Sequence, residues 1–521
     1  MKVFNTTGTC NPNKHYMVNI DRQVEAAAKL VRQGDYFCIS RGRQYGKTTT
    51  LAALKKKLEA EGFVVFSLSF EGLGDTEFSS LESLLGASLQ LMSFCAECGA
   101  VNNLSKASAE LLEANDSSLR VVSSIQYRRL IAQLAISDNV VLMIDEVDQA
   151  GNYPEFIKFL GLLREMYLSR DSAPTFQSII LAGVYDVKNL RLKIRTEQDH
   201  QYNSPWNIAV PFDVNMSLPA EGIAGMLADY KTEHSIEFDN AAVGRMIYDY
   251  TSGYPFLVSR ICQIMDQQSY SWDKDGVLKA VNAILKEENT LFDDLVKKLQ
   301  QFPELKKLMR QILYCGVKQA FSAYEHNLQL ARRFNFIIEE DGMVKISCRL
   351  FETFLYNLFL AEEKAELMFR TGTMEKSQFV QDGIIDMKRL LERFCVHFND
   401  IFRTEDGSMD YEFVEKQGRK QFLLYLKPII NGVGNYYVES ETRDETRTDI
   451  IVDYLGHQYI IELKIWHGNA YNERGEKQLS EYLDLYHIQT GYMVSFCFNK
   501  GKTPGVSEIM IGDRRIIEAI V

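Results

Sequence analysis

Two groups of side chains in this 521-residue sequence have the types and spacing of chemistry. Near the C-terminus, Arg447-Thr448-Asp449 runs into the β-branched stretch Ile450-Ile451-Val452, a Leu455-Gly456 turn follows, and Tyr459-Ile460-Ile461 delivers Glu462 and Lys464. If the turn is of the two-residue kind, paired positions sum to 911, the sum of 455 and 456. Asp449 is then expected opposite Glu462, with Cβ atoms roughly 4.5–5.5 Å apart, close enough for two carboxylates to share a divalent cation. Lys464 lies two residues on and shares the face of Glu462. Two acids and a lysine on one face are the donor set of hard-metal hydrolysis rather than of core packing.

The second group lies in the N-terminal half. A short apolar strand, Asp35–Ser40, runs into Arg41-Gly42-Arg43-Gln44-Tyr45-Gly46-Lys47-Thr48-Thr49, then into a helix with Leu51, Leu54 and Leu58 at helical spacing. Strand, glycine-bearing loop and a helix opening on Gly-Lys-Thr make a phosphate-binding loop, in which amides of the Gly42–Thr49 stretch cradle the phosphates. Lys47 reaches the β/γ oxygens and Thr48 binds Mg2+. The usual four-residue gap between the two glycines would put Arg41 at the first glycine position, so Gly42 comes one residue late. Asn139–Glu146 supplies the matching second element, an apolar strand ending in two acids, with Asp145 on Mg2+ and Glu146 orienting the attacking water. The bland alternative is a buried strand with a solvated acidic end. A third strand, Ser178–Gly183, leads to Tyr185, Asp186 and Asn189, where a γ-phosphate sensor could lie.

These sites need several cores, because 521 residues exceed what one hydrophobic core holds. No apolar run approaches the ~20 residues of a membrane span. The N-terminus lacks the apolar centre of a signal peptide. Nine scattered cysteines, an odd number, fit a reduced cytoplasmic protein, and Cys95 and Cys98 read as helix-core residues rather than a metal or redox pair. A net charge of −12 argues against indiscriminate attraction to nucleic acid and leaves room for local basic patches.

With His15-Tyr16-Met17-Val18, Tyr202–Ile208 and Thr251-Ser252-Gly253-Tyr254-Pro255-Phe256, the region 1–270 resembles the bacterial AAA-like ATPases of the signalling (STAND-type) branch. The resemblance implies a parallel P-loop sheet followed by a helical lid, with Pro255 packing on adenine. Arg191, Arg195 and Arg260 become candidates for a γ-phosphate-sensing or finger arginine, although for each a surface salt bridge is the commoner role. Further on, the amphipathic Leu305–Tyr314, a helix around Asn327–Phe334 and two short strands around Asp341-Gly342 suggest a winged helix. Its segment Gln329-Leu330-Ala331-Arg332-Arg333 is only mildly basic and reads either as a DNA contact or as an internal lever.

An apolar helix through Phe422, Leu423, Leu426 and Ile430, the strand Tyr436-Tyr437-Val438 and then the hairpin resemble, over about 410–500, the core of restriction-endonuclease-like (PD-D/E-x-K) nucleases. Asp449, Glu462 and Lys464 match that superfamily's metal acids and lysine. Glu415 is the best fit for its helix glutamate and Glu412 a poorer one. Gln478 and Tyr482, one helical turn apart, match a pair in the nuclease domains of bacterial recombination helicases. Thr448 stands where the superfamily's name has proline. The resemblance implies Mg2+ held by Asp449, Glu462 and the Leu463 carbonyl, with Lys464 orienting water or stabilising developing charge.

The expected architecture is therefore α/β and multidomain: a P-loop ATPase domain over 1–215, a helical lid over 216–300, a winged-helix-like domain over 301–361, a helical linker over 362–410 and a nuclease-like domain over 411–521. The expected function is an ATP-binding, ATP-hydrolysing protein with a Mg2+-dependent nuclease under nucleotide control, in defence or mobile-element biology. Its partners would be nucleic acid, DNA before RNA, and a second copy of the chain. A nucleotide-switched signalling or scaffold protein with a non-catalytic nuclease fold is the alternative, and a helicase-like motor ranks behind both.

Overall fold

A computed structural model of the chain describes residues 1–115, 122–184, 206–314, 319–322, 324–367, 379–381, 383–402, 415–430, 434–438, 450–466, 475–477, 479–480, 483, 488–497 and 503–521. The described residues fall into two compact units. The first comprises Met1–Ala280, Asn289–Leu295 and Arg333–Asn335, and the second Val281–Glu288, Val296–Arg332 and Phe336–Val521. Among the described residues no helix is long and apolar enough to cross a membrane.

The first unit opens with α1 (Asp21–Gln33), β1 (Phe37–Ser40), α2 (Lys47–Ala60), β2 (Val64–Ser69), α3 (Leu81–Glu97), α4 (Lys106–Asn115) and α5 (Ser124–Ser137). Then come β3 (Val140–Asp145), α6 (Val147–Ala150), α7 (Pro154–Leu168) and β4 (Ser178–Gly183). The four strands form one parallel sheet in the order β1-β4-β3-β2. β3 and β4 are buried at every position, as parallel strands covered on both faces must be. Alternate residues feed two cores. Phe66, Leu142, Ile144, Ile179 and Leu181 join one cluster with residues of α3, α5 and α7. Val65, Val141, Met143, Ile180 and Ala182 join the other with residues of α1 and α2. Helix starts are fixed locally: a capping box joins Ser123 and Gln126, and the Ser80 side chain accepts from Ser83 N. Helices α8 (Ala220–His234), α9 (Asn240–Thr251) and α10 (Pro255–Gln267) follow, while α11 (Lys274–Lys286) and α12 (Thr290–Gln301) each divide between the two units.

The second unit holds α13 (Pro303–Tyr314), α14 (His326–Arg333), β5 (Ile337–Glu340), β6 (Met343–Ile346), α15 (Arg349–Leu367), β7 (Val380–Gln381), β8 (Ile384–Ile385), α16 (Met387–Phe402) and α17 (Glu415–Ile430). Of α14, the Arg333 end belongs to the first unit. β5 and β6 pair antiparallel around Asp341 and Gly342, both at positive φ, the geometry of a tight two-residue hairpin. The unit ends with β9 (Gly434–Val438), β10 (Ile450–Tyr454), β11 (His457–Ile465), β12 (Thr490–Phe496), β13 (Gly505–Ile511) and β14 (Arg514–Ile520), one mixed sheet in the order β13-β14-β12-β11-β10-β9.

Two expectations are corrected here. Within 362–410, expected as a helical linker, the described residues include the β7–β8 hairpin, and α16 packs on β13 and β14 with Leu390, Leu391, Phe394 and Phe398 buried, while 404–408 lies outside the described residues. Lys388, Arg389, Glu392 and Arg393 lie on that helix's other face, and Lys388 pairs with Glu508 at 2.7 Å. Cys98 is also no core residue: it caps the C-terminus of α3 and is exposed, while Cys95 is half-buried.

Candidate functional site

The phosphate-loop residues sit at the carboxyl end of β1, the end of a parallel sheet where open α/β folds bind ligands. Gly46 occupies the N-cap of α2 at φ 81°, a conformation glycine adopts freely and other residues rarely do. Gly42 has no left-handed backbone angle, and a Cβ there would lie 2.5 Å from Asn335 Nδ2, so that side chain would have to shift. Arg41, at the position a glycine usually holds, donates its amide to Gly183 O at 3.1 Å and its guanidinium to Val214 O at 2.9 Å. Its side chain is thereby directed to the sheet edge, which explains how the loop tolerates it.

Lys47 is 5% exposed, and its Nζ donates to the carbonyls of Arg41 at 3.2 Å and Gly42 at 3.1 Å. Burial pulls its pKa down, opposed by the nearby carboxylates of Glu146, Asp148 and Asp145. Thr48 Oγ1 donates to Asp145 Oδ2 at 2.7 Å, so loop and acidic strand meet across 97 residues of sequence. A hydroxyl beside a carboxylate is the oxygen donor pair that a hard cation takes. Thr49 faces elsewhere: its hydroxyl accepts from the Cys10 amide at 3.1 Å.

Past Asp145 the chain bends sharply. Glu146 sits in the left-handed region at φ 54°, ψ 43°, a conformation costing a non-glycine residue roughly 1–2 kcal/mol. Burial raises its pKa, Lys47 lowers it, and Asp145, Asp148 and Glu71 raise it further. Sequence reasoning missed Asp148. Its Oδ2 accepts from Val184 N at 2.6 Å, fixing the end of β4 against α6, and a Cβ on Gly183 would come within 3.0 Å of Asp148 Oδ1. The signal was present as a third acid two residues beyond Glu146.

A cleft opens beside the loop. Gly46, Thr49, Thr50, Met17, Val18 and Pro255 are among its lining residues. Pro255 reaches it because the α9–α10 turn is stitched to the chain before α8. Leu218 N donates to Gly253 O at 2.8 Å, and Gly253 at φ +73° has no room for a Cβ, which would sit 2.1 Å from Leu218 O. The Tyr254 hydroxyl donates to Arg43 O. Arg260 donates to Gln263 Oε1 at 2.6 Å. Tyr185, Asp186, Asn189, Arg191 and Arg195 lie outside the described residues.

In the second unit the hairpin register is the expected one: β10 and β11 pair from Ile450↔Ile461 to Tyr454↔His457, every pair summing to 911, with Leu455 and Gly456 in the turn. Asp449, Gln478 and Tyr482 lie outside the described residues, as does Glu412. Glu415 begins α17, and its side chain is outside the described set. Glu462 is fully buried, and Lys464 Nζ stands 2.8 Å from its Oε1. The face they share continues across the sheet through Met493 and Ser495 of β12 to Glu518 of β14, whose Oε1 accepts from Ser495 Oγ at 2.6 Å. Sequence reasoning missed Ser495 and Glu518, because nothing local says which strand neighbours β11. Gly475 lies over Lys464, its Cβ position 3.5 Å from Lys464 Cγ. On the opposite face, Gly418 lets α17 approach the Phe496 ring. Among the described residues no group of three or more His, Cys, Asp and Glu side chains converges as a metal site. In α14, Arg332 pairs with Glu339 at 3.3 Å and lies 4.9 Å from the centre of the Phe321 ring.

The profile of the AAA-like domain family matches residues 7–357. No curated protein matches the sequence. Among solved structures, the chain is similar to a Walker-type ATPase of Pyrococcus abyssi at 16% identity and a TM-score of 0.47, over 68% of this chain and 99% of that one. It is similar to the Aeropyrum pernix ORC2 protein, solved in ADPNP and ADP complexes, at 12% identity and a TM-score of 0.33, over 69% and 97%. It is also similar to Cdc6p from Pyrobaculum aerophilum at 12% identity and a TM-score of 0.32, over 69% and 97%.

Proposed function

Since the chain belongs to the AAA-like domain family and is a P-loop ATPase, we propose that its nucleotide cycle governs a metal-dependent nuclease site in the C-terminal unit. The observation that carries the ATPase half is the meeting of Thr48 with Asp145 at 2.7 Å, beside buried Lys47 and the partly buried Glu146. In this reading Lys47 exchanges the Arg41 and Gly42 carbonyls for phosphate oxygens. Thr48 and Asp145 hold Mg2+, which neutralises phosphate charge. Glu146, its carboxyl raised by burial, orients the attacking water and accepts its proton. Gly42, Gly46 and Thr49 belong to the loop around the phosphates, and Pro255 to the base side of the cleft.

The nuclease half rests on the Glu462–Lys464 pair at 2.8 Å, on the strand whose hairpin partner follows Asp449. Asp449 and Glu462 would hold a divalent cation that lowers the pKa of a bound water. Lys464 positions that water or steadies charge on the phosphate, with Glu415, Gln478 and Tyr482 as supporting groups. The substrate class is nucleic acid, DNA before RNA. The winged-helix-like segment, the assembly of several copies, and a role in defence or mobile-element biology are parts of the same proposal. The test is divalent-dependent cleavage across single- and double-stranded DNA and RNA, with and without ATP. Activity must vanish in Asp449→Ala and in Lys464→Ala.

One observation favours a second reading. Glu462 is 0% exposed and already ion-paired, as a purely structural carboxylate would be. A nucleotide-switched scaffold with a non-catalytic nuclease fold would cleave nothing under any nucleotide condition while assembling in response to ATP.

A further inference from the structure

The cleft beside the phosphate loop is walled mainly by apolar groups, among them Val18, Ile20, Met216, Leu218, Met226 and Pro255. Several of its polar side chains are already engaged. Thr50 Oγ1 donates to Gly46 O at 3.0 Å, Thr49 Oγ1 accepts from Cys10 N, and the Tyr16 hydroxyl donates to Glu233 at 2.9 Å. Gln23 is different. It lines the same cleft, is only 6% exposed, and its amide makes no hydrogen bond among the described residues. An amide without a protein partner at the wall of an apolar cleft takes its hydrogen bonds from whatever fills that cleft. Gln23 is fixed there by the first turn of α1, whose Val24, Ala27, Ala28 and Val31 are buried at helical spacing. The backbone that carries it is therefore anchored, and the amide is presented to whatever fills the cleft.

An amide offers one acceptor and two donor hydrogens side by side, the complement of adenine's exocyclic amine and adjacent ring nitrogen. A 6-oxopurine places an acceptor where adenine has its amine, so on the N7 edge it shows two acceptors to that amide. Guanine adds a 2-amino group, which in a mainly apolar cleft would lack an acceptor. We propose that Gln23 reads the N6/N7 edge of the purine and so sets the preference for adenine. The inference rests on the assignment of this cleft to ATP and extends it to the base-discriminating group.

The test is equilibrium binding of ATP, inosine triphosphate and guanosine triphosphate to the full chain, wild type and Gln23→Leu, with Gln23→Met as a second variant of similar volume. Melting temperature reports folding of each. The ATP-to-inosine comparison isolates the amine-to-oxygen change, because neither base carries the 2-amino group. Wild type is expected to prefer ATP by about tenfold or more, the scale of one good bidentate base contact. Both variants should bring the two affinities within about threefold, chiefly by weaker ATP binding, with the melting temperature held. Wild-type preference that persists unchanged in a folded Gln23→Leu or Gln23→Met overturns the role of Gln23 alone. Wild-type protein that binds none of the three triphosphates overturns the nucleotide assignment of the cleft, and this inference with it.

Discussion

Gly253→Ala tests the joint that brings the α9–α10 turn to the cleft proposed for the nucleotide. The glycine is at φ +73°, where a residue bearing a Cβ loses roughly 1–2 kcal/mol. The new methyl would sit 2.1 Å from Leu218 O, 2.7 Å from Leu218 N and 2.9 Å from Leu218 C. All three are backbone atoms, so no side-chain rotation relieves the overlap, and the strands of chain must separate. Separation breaks the Leu218 N to Gly253 O hydrogen bond of 2.8 Å, worth about 1 kcal/mol net. The sum is about 2–3 kcal/mol, which at about 2.1 cal/mol/K per residue lowers the melting temperature of a unit of about 290 residues by roughly 3–5 °C. Tyr254 and Pro255 move with the turn, so ATP affinity should fall by about tenfold, the equivalent of 1.4 kcal/mol of that distortion. The assay is thermal unfolding without nucleotide, followed by calorimetric titration with ATP. Gly225→Ala is the matched control. Gly225 lies inside α8 with nothing within 4 Å of its Cβ position, and alanine there should stabilise by about 0.5–1 kcal/mol. A Gly253→Ala protein that melts within 2 °C of wild type and binds ATP normally would refute the reasoning.

Glu146→Gln should keep ATP binding and lose hydrolysis. Because burial raises the Glu146 carboxyl above its ordinary value of 4.5, the folded state favours the protonated form. The penalty for the charged form is absent below pH 4.5 and grows as pH rises through the folded value, so the glutamine variant should melt higher than wild type at pH 8 and gain less at pH 5. An equal difference at both values would contradict this. Lys47→Ala should abolish hydrolysis and the thermal stabilisation that ATP confers, read by melting with and without nucleotide. Lys464→Met removes an ion-pair partner of a fully buried carboxylate and should cost about 3 kcal/mol. Glu462→Gln added to it should recover much of that loss without restoring cleavage, as seen in denaturant titrations beside a nuclease assay. Cleavage by the double variant would remove both residues from the chemistry.

Short-range features were legible in the sequence to within a residue or two. The strand Ser178–Gly183 and the hairpin register summing to 911 fall where periodicity and turn chemistry put them. The helix with Leu51, Leu54 and Leu58 buried is also where its spacing predicts. The stretch 362–410, expected as a helical linker, holds the β7–β8 hairpin and the packed helix α16 among its described residues. A strongly amphipathic helix announces that it packs on something, but its own residues do not say on what. The second half of the candidate nuclease site, Asp449 with Gln478 and Tyr482, lies outside the described residues, so its assembly stands as proposed.

What the sequence by itself determined was local: which segments are strands and helices, where glycine is demanded, and which acids and lysines end those segments. Those features follow from backbone sterics and side-chain periodicity over a few residues. Tertiary structure alone decided the meetings. The strand order β1-β4-β3-β2 sets Thr48 against Asp145, Leu218 closes over Gly253, Gln23 turns into an apolar cleft, and Glu518 joins the face of Glu462. Such contacts are chosen by how whole faces exclude water together, a sum over many distant residues that no single stretch of chain encodes.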